Sequence, residues 1–245
     1  MAAPIPNQSS RLALITGASS GIGAATARAL AQAGFNLAMV ARSYDKLMAL
    51  AEEIAAFGVE AYPFKLDLAE TEQVDKQLAR LIAQVGPVDV LVDNAGIGYT
   101  GSLGDMPLSD WQQVMNINLT ATFQVIKAVL PGMRNQRRGL IINVASIAAE
   151  QAFPDWGAYG VSKAAVVALG RAIAAEEAVN GIRVTTLSPG AVDTPLWDSE
   201  TVDADLNRAA MLSPDTIAQA IAYSARLPPE AVISQLTITP SQGAL

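Results

Sequence analysis

Leu12-Ala13-Leu14-Ile15-Thr16 runs directly into Gly17-Ala18-Ser19-Ser20-Gly21-Ile22-Gly23. Apolar at nearly every position, the first stretch reads as a strand buried on both faces. The second is a glycine-rich turn that opens an Ala-rich helical stretch over residues 21–33. Glycines permit a tight turn and let the backbone approach a pyrophosphate. A helix N-terminus behind the turn offers free N–H groups and the positive end of its dipole. The spacing is G-x3-G-x-G rather than G-x-G-x-x-G, but the strand–turn–helix setting is what a dinucleotide site requires.

The same alternation continues outward from this stretch. Short β-branched or apolar runs over residues 36–41, 60–66, 88–92, 140–145, 183–187 and 233–239 read as strands. Helical stretches over 44–57, 71–85, 109–133, 155–179 and 214–226 lie between them. The alternation predicts βαβ units: an α/β, Rossmann-type, three-layer doubly wound parallel sheet of about seven strands, with helices on both faces. Residues 11–245 are expected to form a single domain and residues 1–10 a flexible N-terminal segment. Residues 191–212 are long for a connection and carry Asp198, Glu200, Asp203 and Asp205, which suggests a lid. The helix around residues 164–175 is small and apolar almost all round, which predicts burial against the sheet and a partner subunit, hence a homo-oligomer (dimer or tetramer).

Composition narrows the chemistry. The 245 residues include no cysteine and no histidine. Disulfides, thiolate nucleophiles, Ser-His-Asp triads and Cys- or His-ligated metals are therefore excluded, and no metal site is expected. Proton chemistry near neutral pH falls to Tyr, Lys, Asp, Glu or water. Net charge is −7 and the pI about 4.6, which argues against nucleic acid and anionic membranes as partners. Despite a mean hydropathy of +0.29, no run approaches the ~18 consecutive apolar residues of a membrane span. The first ten residues lack a basic n-region, so no signal peptide is expected and the cytoplasm is the expected location.

Two further signals refine the reading. A site for NAD usually closes its second strand with an acid that holds the ribose 2′-hydroxyl. Here that place reads Val40-Ala41-Arg42-Ser43. A guanidinium can grip a 2′-phosphate that a carboxylate would repel, so Arg42 and Ser43 predict NADP(H) over NAD(H). Second, Tyr159 and Lys163 stand four apart near the start of a helix and share a face. An ammonium beside a phenol favours phenolate and would make tyrosine a usable acid and base. Ser146 follows the fifth strand, at the crevice where open α/β sheets bind ligands, placed to hold a carbonyl oxygen.

Taken together these residues resemble the short-chain dehydrogenases/reductases, from about residue 11 to 239. The resemblance rests on the glycine motif, Asp67-Leu68, Asp93-Asn94-Ala95-Gly96, Asn118, Ser146, Tyr159-x-x-x-Lys163 and Pro189-Gly190-x-x-x-Thr194. It implies that Tyr159 exchanges a proton with the substrate oxygen while Lys163 binds the nicotinamide ribose and lowers the pKa of Tyr159. It further implies that Ser146 orients the substrate and that Asn118 holds a water linking Lys163 to solvent. Gly17, Ser19, Ser20, Gly21, Ile22, Gly23, Asp67, Leu68, Asn94, Ala95, Gly96, Pro189, Gly190, Val192 and Thr194 would contact the cofactor. Asp67 would lie at the adenine and Thr194 at the carboxamide. Asp93 departs from the family's usual Asn-Asn-Ala-Gly and is expected to loosen one structural bond without abolishing the site.

The expected activity is hydride transfer between NADP(H) and a small or medium ketone, keto-ester or 3-hydroxy acid. Phe153, Trp156, Leu196, Trp197 and Met211 are expected to wall the small-molecule pocket. A 3-oxoacyl-ACP reductase is the competing enzyme, with Arg134, Arg137 and Arg138 as its local docking cations. The family's frequent C-terminal Val-Asp-Gly-Gly is missing, which counts against it. A catalytically silent NADP(H) sensor would not need Asn118, Ser146, Tyr159 and Lys163 together. Epimerases have a longer C-terminal region, and enoyl reductases space Tyr and Lys more widely.

Overall fold

The computed structural model describes residues 11–243, so the expected flexible segment 1–10 lies outside the described residues. Seven strands form one wholly parallel sheet in the order β3-β2-β1-β4-β5-β6-β7. They are β1 (Leu12–Thr16), β2 (Asn36–Ala41), β3 (Ala61–Lys65), β4 (Val90–Asp93), β5 (Gly139–Val144), β6 (Ile182–Pro189) and β7 (Gln235–Ile238). Helices α1 (Gly21–Gln32), α2 (Tyr44–Ala55), α3 (Thr71–Val85), α4 (Leu108–Met115), α5 (Ala121–Gln136), α6 (Gly157–Glu177) and α7 (Pro214–Arg226) complete the chain. The strand order reverses between β1 and β4, and a crevice opens there beyond the carboxyl ends of the strands.

The period-2 alternation of β1 divides the core into two halves. Ala13 and Ile15 join α1, α2 and α7 through Leu30, Leu47, Ile54, Ile217 and Ile221. Leu12 and Leu14 join α3 and α5 on the opposite face through Leu78, Leu81, Val125 and Ile126. All five residues of β1 are buried, as a strand sandwiched between helix layers must be. By length and composition the stretch Gly157–Asn180 could cross a bilayer. In the fold it is a core helix: Val166, Val167 and Ile173 are buried and Gly170 packs against Asn143 and Thr186.

Two boundaries differ from the sequence expectation. Residues 109–133 read as one helix, but a five-residue π-turn, Asn116–Thr120, separates α4 from α5. The wider turn carries Asn118, whose side chain is committed to the neighbouring loop: its Oδ1 accepts from Ile97 N at 2.8 Å and its Nδ2 donates to Ile97 O at 3.0 Å. The helix expected from residue 155 begins instead at Gly157, because Asp155 adopts φ +65°, outside the helical region.

Candidate active site

The glycine turn and the loop after β4 are stapled by one hydroxyl. Thr16 Oγ1 donates to Asp93 Oδ1 at 2.8 Å and accepts from the backbone N–H groups of Asn94 (2.9 Å) and Ala95 (3.0 Å). Asn94 Nδ2 returns a bond to Thr16 O at 3.0 Å. The unusual Asp93 therefore keeps its bond to the first strand. Burial raises its carboxyl pKa, against donation from Thr122 and Thr16.

This close approach is why the turn is built from glycine. A Cβ on Gly17, which has φ +65°, would lie 2.9 Å from Asn94 Nδ2, and one on Gly23 would overlap the Gly17 carbonyl oxygen. A phosphate-sized approach to the backbone is thus possible where a side chain is not. Gly23 acts through this packing and does not line the cleft itself.

The cleft has a volume of ≈ 580 Å³ and runs along the carboxyl edge of the sheet. Gly17, Ser19, Ser20, Gly21, Ile22, Arg42, Ser43, Asp67, Leu68, Asn94, Ala95 and Gly96 line one end. Arg42 is exposed and makes no ion pair among the described residues. Lys46, in the first turn of α2, adds a second cation that the sequence reading missed. Its place in the first turn of the helix that follows Arg42 was the available signal. Two cations beside a glycine turn fit a dinucleotide carrying an extra phosphate.

Ser146, Tyr159 and Lys163 line the same cleft further along. Ser146 caps a short 3-10 turn, its Oγ accepting from Ala148 N at 3.1 Å, and its hydroxyl acts on the neighbouring Tyr159 phenol. Tyr159 is partly open to the cleft yet closely surrounded, and burial raises the pKa of its phenol while the Ser146 hydroxyl opposes that shift. The expected downward pull of Lys163 is not among the influences on the phenol. The ammonium instead donates to Val144 O at 2.9 Å and lies 5.8 Å from the Tyr159 ring centre. Burial lowers the Lys163 pKa to about 8, and Asp93 opposes that shift. Fully buried Asn118 spends its second amide proton on Ser162 Oγ at 3.0 Å, and Ser162 Oγ donates to Tyr159 O at 2.7 Å. Asn118 therefore braces the helix turn that bears Tyr159 from outside the cleft lining.

Pro189, Gly190, Val192 and Thr194 line the cleft above Gly21, and Phe153, Trp156, Leu196 and Trp197 close it near Ser146. Pro154, Ile97, Ala204 and Leu206 join this wall unforeseen, because the contacts that bring these loops together are distant in sequence. Met211 does not line the cleft, contrary to expectation. Val192 and Leu212 form a β-bridge, and the neighbouring Met211 opens onto a separate depression with Asn207, Ala210 and Pro240. The expected lid is tied down: Thr201 Oγ1 donates to Gly98 O at 2.7 Å, and Arg208 joins Asp193 to Asp198.

A parallel sheet with a glycine turn at its switch point, and a serine, tyrosine and lysine in the adjoining crevice, defines a dinucleotide-dependent oxidoreductase. The short chain dehydrogenase family profile matches residues 11–205, and the chain belongs to the short-chain dehydrogenase/reductase family. It is 41% identical over 179 residues to a 3-oxoacyl-[acyl-carrier-protein] reductase of Staphylococcus epidermidis, covering 73% of each chain. It is 34% identical over 245 residues to a glycine betaine reductase of Emericella nidulans, covering 97% of this chain but only 19% of that much longer protein. Among solved structures, an alcohol dehydrogenase of the archaeon Thermococcus sibiricus complexed with 5-hydroxy-NADP is similar, with a TM-score of 0.87 and 33% identity, covering 95% of this chain and 97% of that one. An actinorhodin polyketide ketoreductase with NADPH gives a TM-score of 0.85 at 31% identity, covering 96% and 98%.

Proposed function

We propose that the chain is an NADP(H)-dependent carbonyl reductase or secondary alcohol dehydrogenase acting on a small or medium carbonyl compound. The observation that carries this reading is one continuous cleft with Arg42 and Lys46 at one end and the Ser146–Tyr159 pair at the other. Similar structures that hold NADPH or a modified NADP support the cofactor. The glycine turn, Arg42, Ser43 and Lys46 would hold the phosphates, Asp67 and Asn94 to Gly96 the adenosine, and Lys163 and Thr194 the nicotinamide end. Bound NADPH supplies the hydride.

The chain's own residues handle the proton. The Ser146 hydroxyl orients the substrate oxygen, and Tyr159 donates its phenolic proton to that oxygen, or accepts it in the alcohol direction. A phenol raised by burial stays protonated near neutral pH, which suits it to the reductive direction. Lys163 holds positive charge beside the site, and Asn118 with Ser162 fixes the helix turn bearing Tyr159. The outward Val161, Ala164 and Ala168 of α6 offer a small apolar face for the assembly proposed here, a homodimer or homotetramer.

The 3-oxoacyl-carrier reading draws support from the Staphylococcus relative. Against it, the three arginines offered for carrier docking are occupied: Arg134 by Glu177, Arg138 by Asp89 and Arg137 by the Val179 carbonyl. They also flank the amino end of β5, opposite the cleft. A panel of ketones, keto-esters, oxo-acids and acyl-carrier thioesters, followed by loss of NADPH absorbance with NADH in parallel, tests the reading. Oxidation of NADPH by none of them would overturn it.

A further inference from the structure

We infer that the substrate end of the cleft selects uncharged apolar carbonyl compounds and rejects carboxylates, a conclusion that deepens the carbonyl-reductase reading and rests on it. Four charged residues line the cleft: Arg42, Lys46, Asp67 and Lys163. The first three follow β2 and β3, at the glycine-turn end. Lys163 is buried with its ammonium given to the Val144 carbonyl. Among the other lining residues are the large apolar Ile97, Phe153, Trp156, Leu196, Trp197 and Leu206, with Trp156 against Tyr159. A substrate carboxylate seated against this aromatic and aliphatic wall would lose its water without an ion-pair partner there, the one nearby cation being the buried Lys163, which is strongly unfavourable.

The aromatic wall is fixed in place. Trp156 lies edge-to-face with both Tyr159 (ring centres 5.4 Å apart) and Trp197 (5.5 Å). Trp197 spends its indole N–H on Val192 O at 2.7 Å, so it presents hydrocarbon rather than a donor. Asp155, held at φ +65°, accepts from Gly101 N at 2.8 Å and sets the chain direction into Trp156.

The lid adds a filter of its own. From residue 202 to 206 exposure alternates: Val202, Ala204 and Leu206 are half-buried, while Asp203 and Asp205 face solvent beside exposed Glu200. Asp193 and Asp198 share Arg208, while Glu200, Asp203 and Asp205 have no ion-pair partner among the described residues. An anion approaching the mouth therefore meets uncompensated like charge, screened by salt. This narrows the sequence expectation, which admitted 3-hydroxy acids.

The test compares methyl 4-acetylbenzoate with 4-acetylbenzoate, which share the reacting ketone and ring and differ in charge, using NADPH. The ester should be favoured in kcat/KM by about 100-fold or more, the scale expected for desolvating an unpaired carboxylate. In the Glu200→Gln/Asp203→Asn/Asp205→Asn variant the acid should gain several-fold at low salt and lose its salt dependence, with the ester unchanged. Equal kcat/KM for ester and acid overturns the inference while leaving the carbonyl-reductase reading standing. If neither is reduced, that reading fails for this ring. Quenching of Trp156 and Trp197 fluorescence then decides: quenching by the ester alone upholds the inference, and equal or absent quenching by the two overturns it.

Discussion

Lys163 stands one helical turn from Tyr159 but donates a hydrogen bond to the Val144 carbonyl, at 2.9 Å, on the strand that leads to Ser146. The ammonium thus ties α6 to β5, the two elements that carry the proton-handling groups. Its charge is a feature of the site as a whole rather than of one pair.

Tyr159→Phe should lower turnover by about a thousandfold, on the scale of a lost general acid, while leaving NADPH affinity nearly intact. Lys163→Ala should damage both, because the ammonium would serve the nicotinamide end of the cofactor and also ties α6, which bears Tyr159, to β5. Fluorescence titration with NADPH alongside steady-state rates checks the contrast. Equal, mild effects from the two changes would refute these roles.

Arg42→Asp should weaken NADPH binding by about 10- to 100-fold, the worth of a charge-assisted phosphate contact, and leave NADH binding unchanged or improved. Lys46→Ala should act in the same direction with a smaller effect, since an ammonium contacts phosphate as a point charge. The ratio of kcat/KM for the two cofactors is the measurement.

The Lys163 pKa of about 8 sets a pH dependence. The group is a cation below that value, so raising the pH through about 8 removes positive charge from the nicotinamide end. The kcat/KM for NADPH, which reports the free protein, should therefore fall as pH rises through about 8. Asp93→Asn should move the fall to lower pH, because Asp93 raises the Lys163 pKa. A flat profile from neutral pH to about 10 would contradict the assignment.

Thr16→Val keeps the volume but removes a hydroxyl that makes three hydrogen bonds in a fully buried position. Stranding the Asn94 and Ala95 N–H groups and the Asp93 carboxyl should cost about 3 kcal/mol of folding stability, measured by urea denaturation. NADPH affinity should fall as well, since this hydroxyl sets the distance between the glycine turn and the adenosine-side loop.

Most of the fold was legible because each strand carried its own signal. The run from Leu12 to Thr16 is buried on both faces and reads so without context. The chemistry-bearing residues were legible because they sit at element ends, where the turn requires specific types: Gly17, Ser146 and the first turn of α6. The rest depended on contacts distant in sequence. Met211 lies only fourteen positions from Trp197, yet the Val192–Leu212 bridge sends it to another surface. The alternation from Val202 to Leu206 turns Ala204 and Leu206 inward but does not say which surface they meet, and the left-handed Asp155 follows from its bond to Gly101 rather than from its neighbours.

The π-turn at Asn116–Thr120 has a bearing on how this chain tolerates length changes. The wider loop of backbone offsets the rotational phase of α5 from that of α4, so what reads as a single amphipathic stripe is divided between two neighbours. Deleting one residue there would restore a regular helix and keep Val125, Ile126 and Val129 on the sheet side, because four α-helical residues at about 100° each turn the chain about as far as five in the wider turn. What such a deletion would remove is the placement of Asn118, whose bonds to Ile97 and Ser162 depend on the wider turn, so a length change there is expected to cost the site rather than the core.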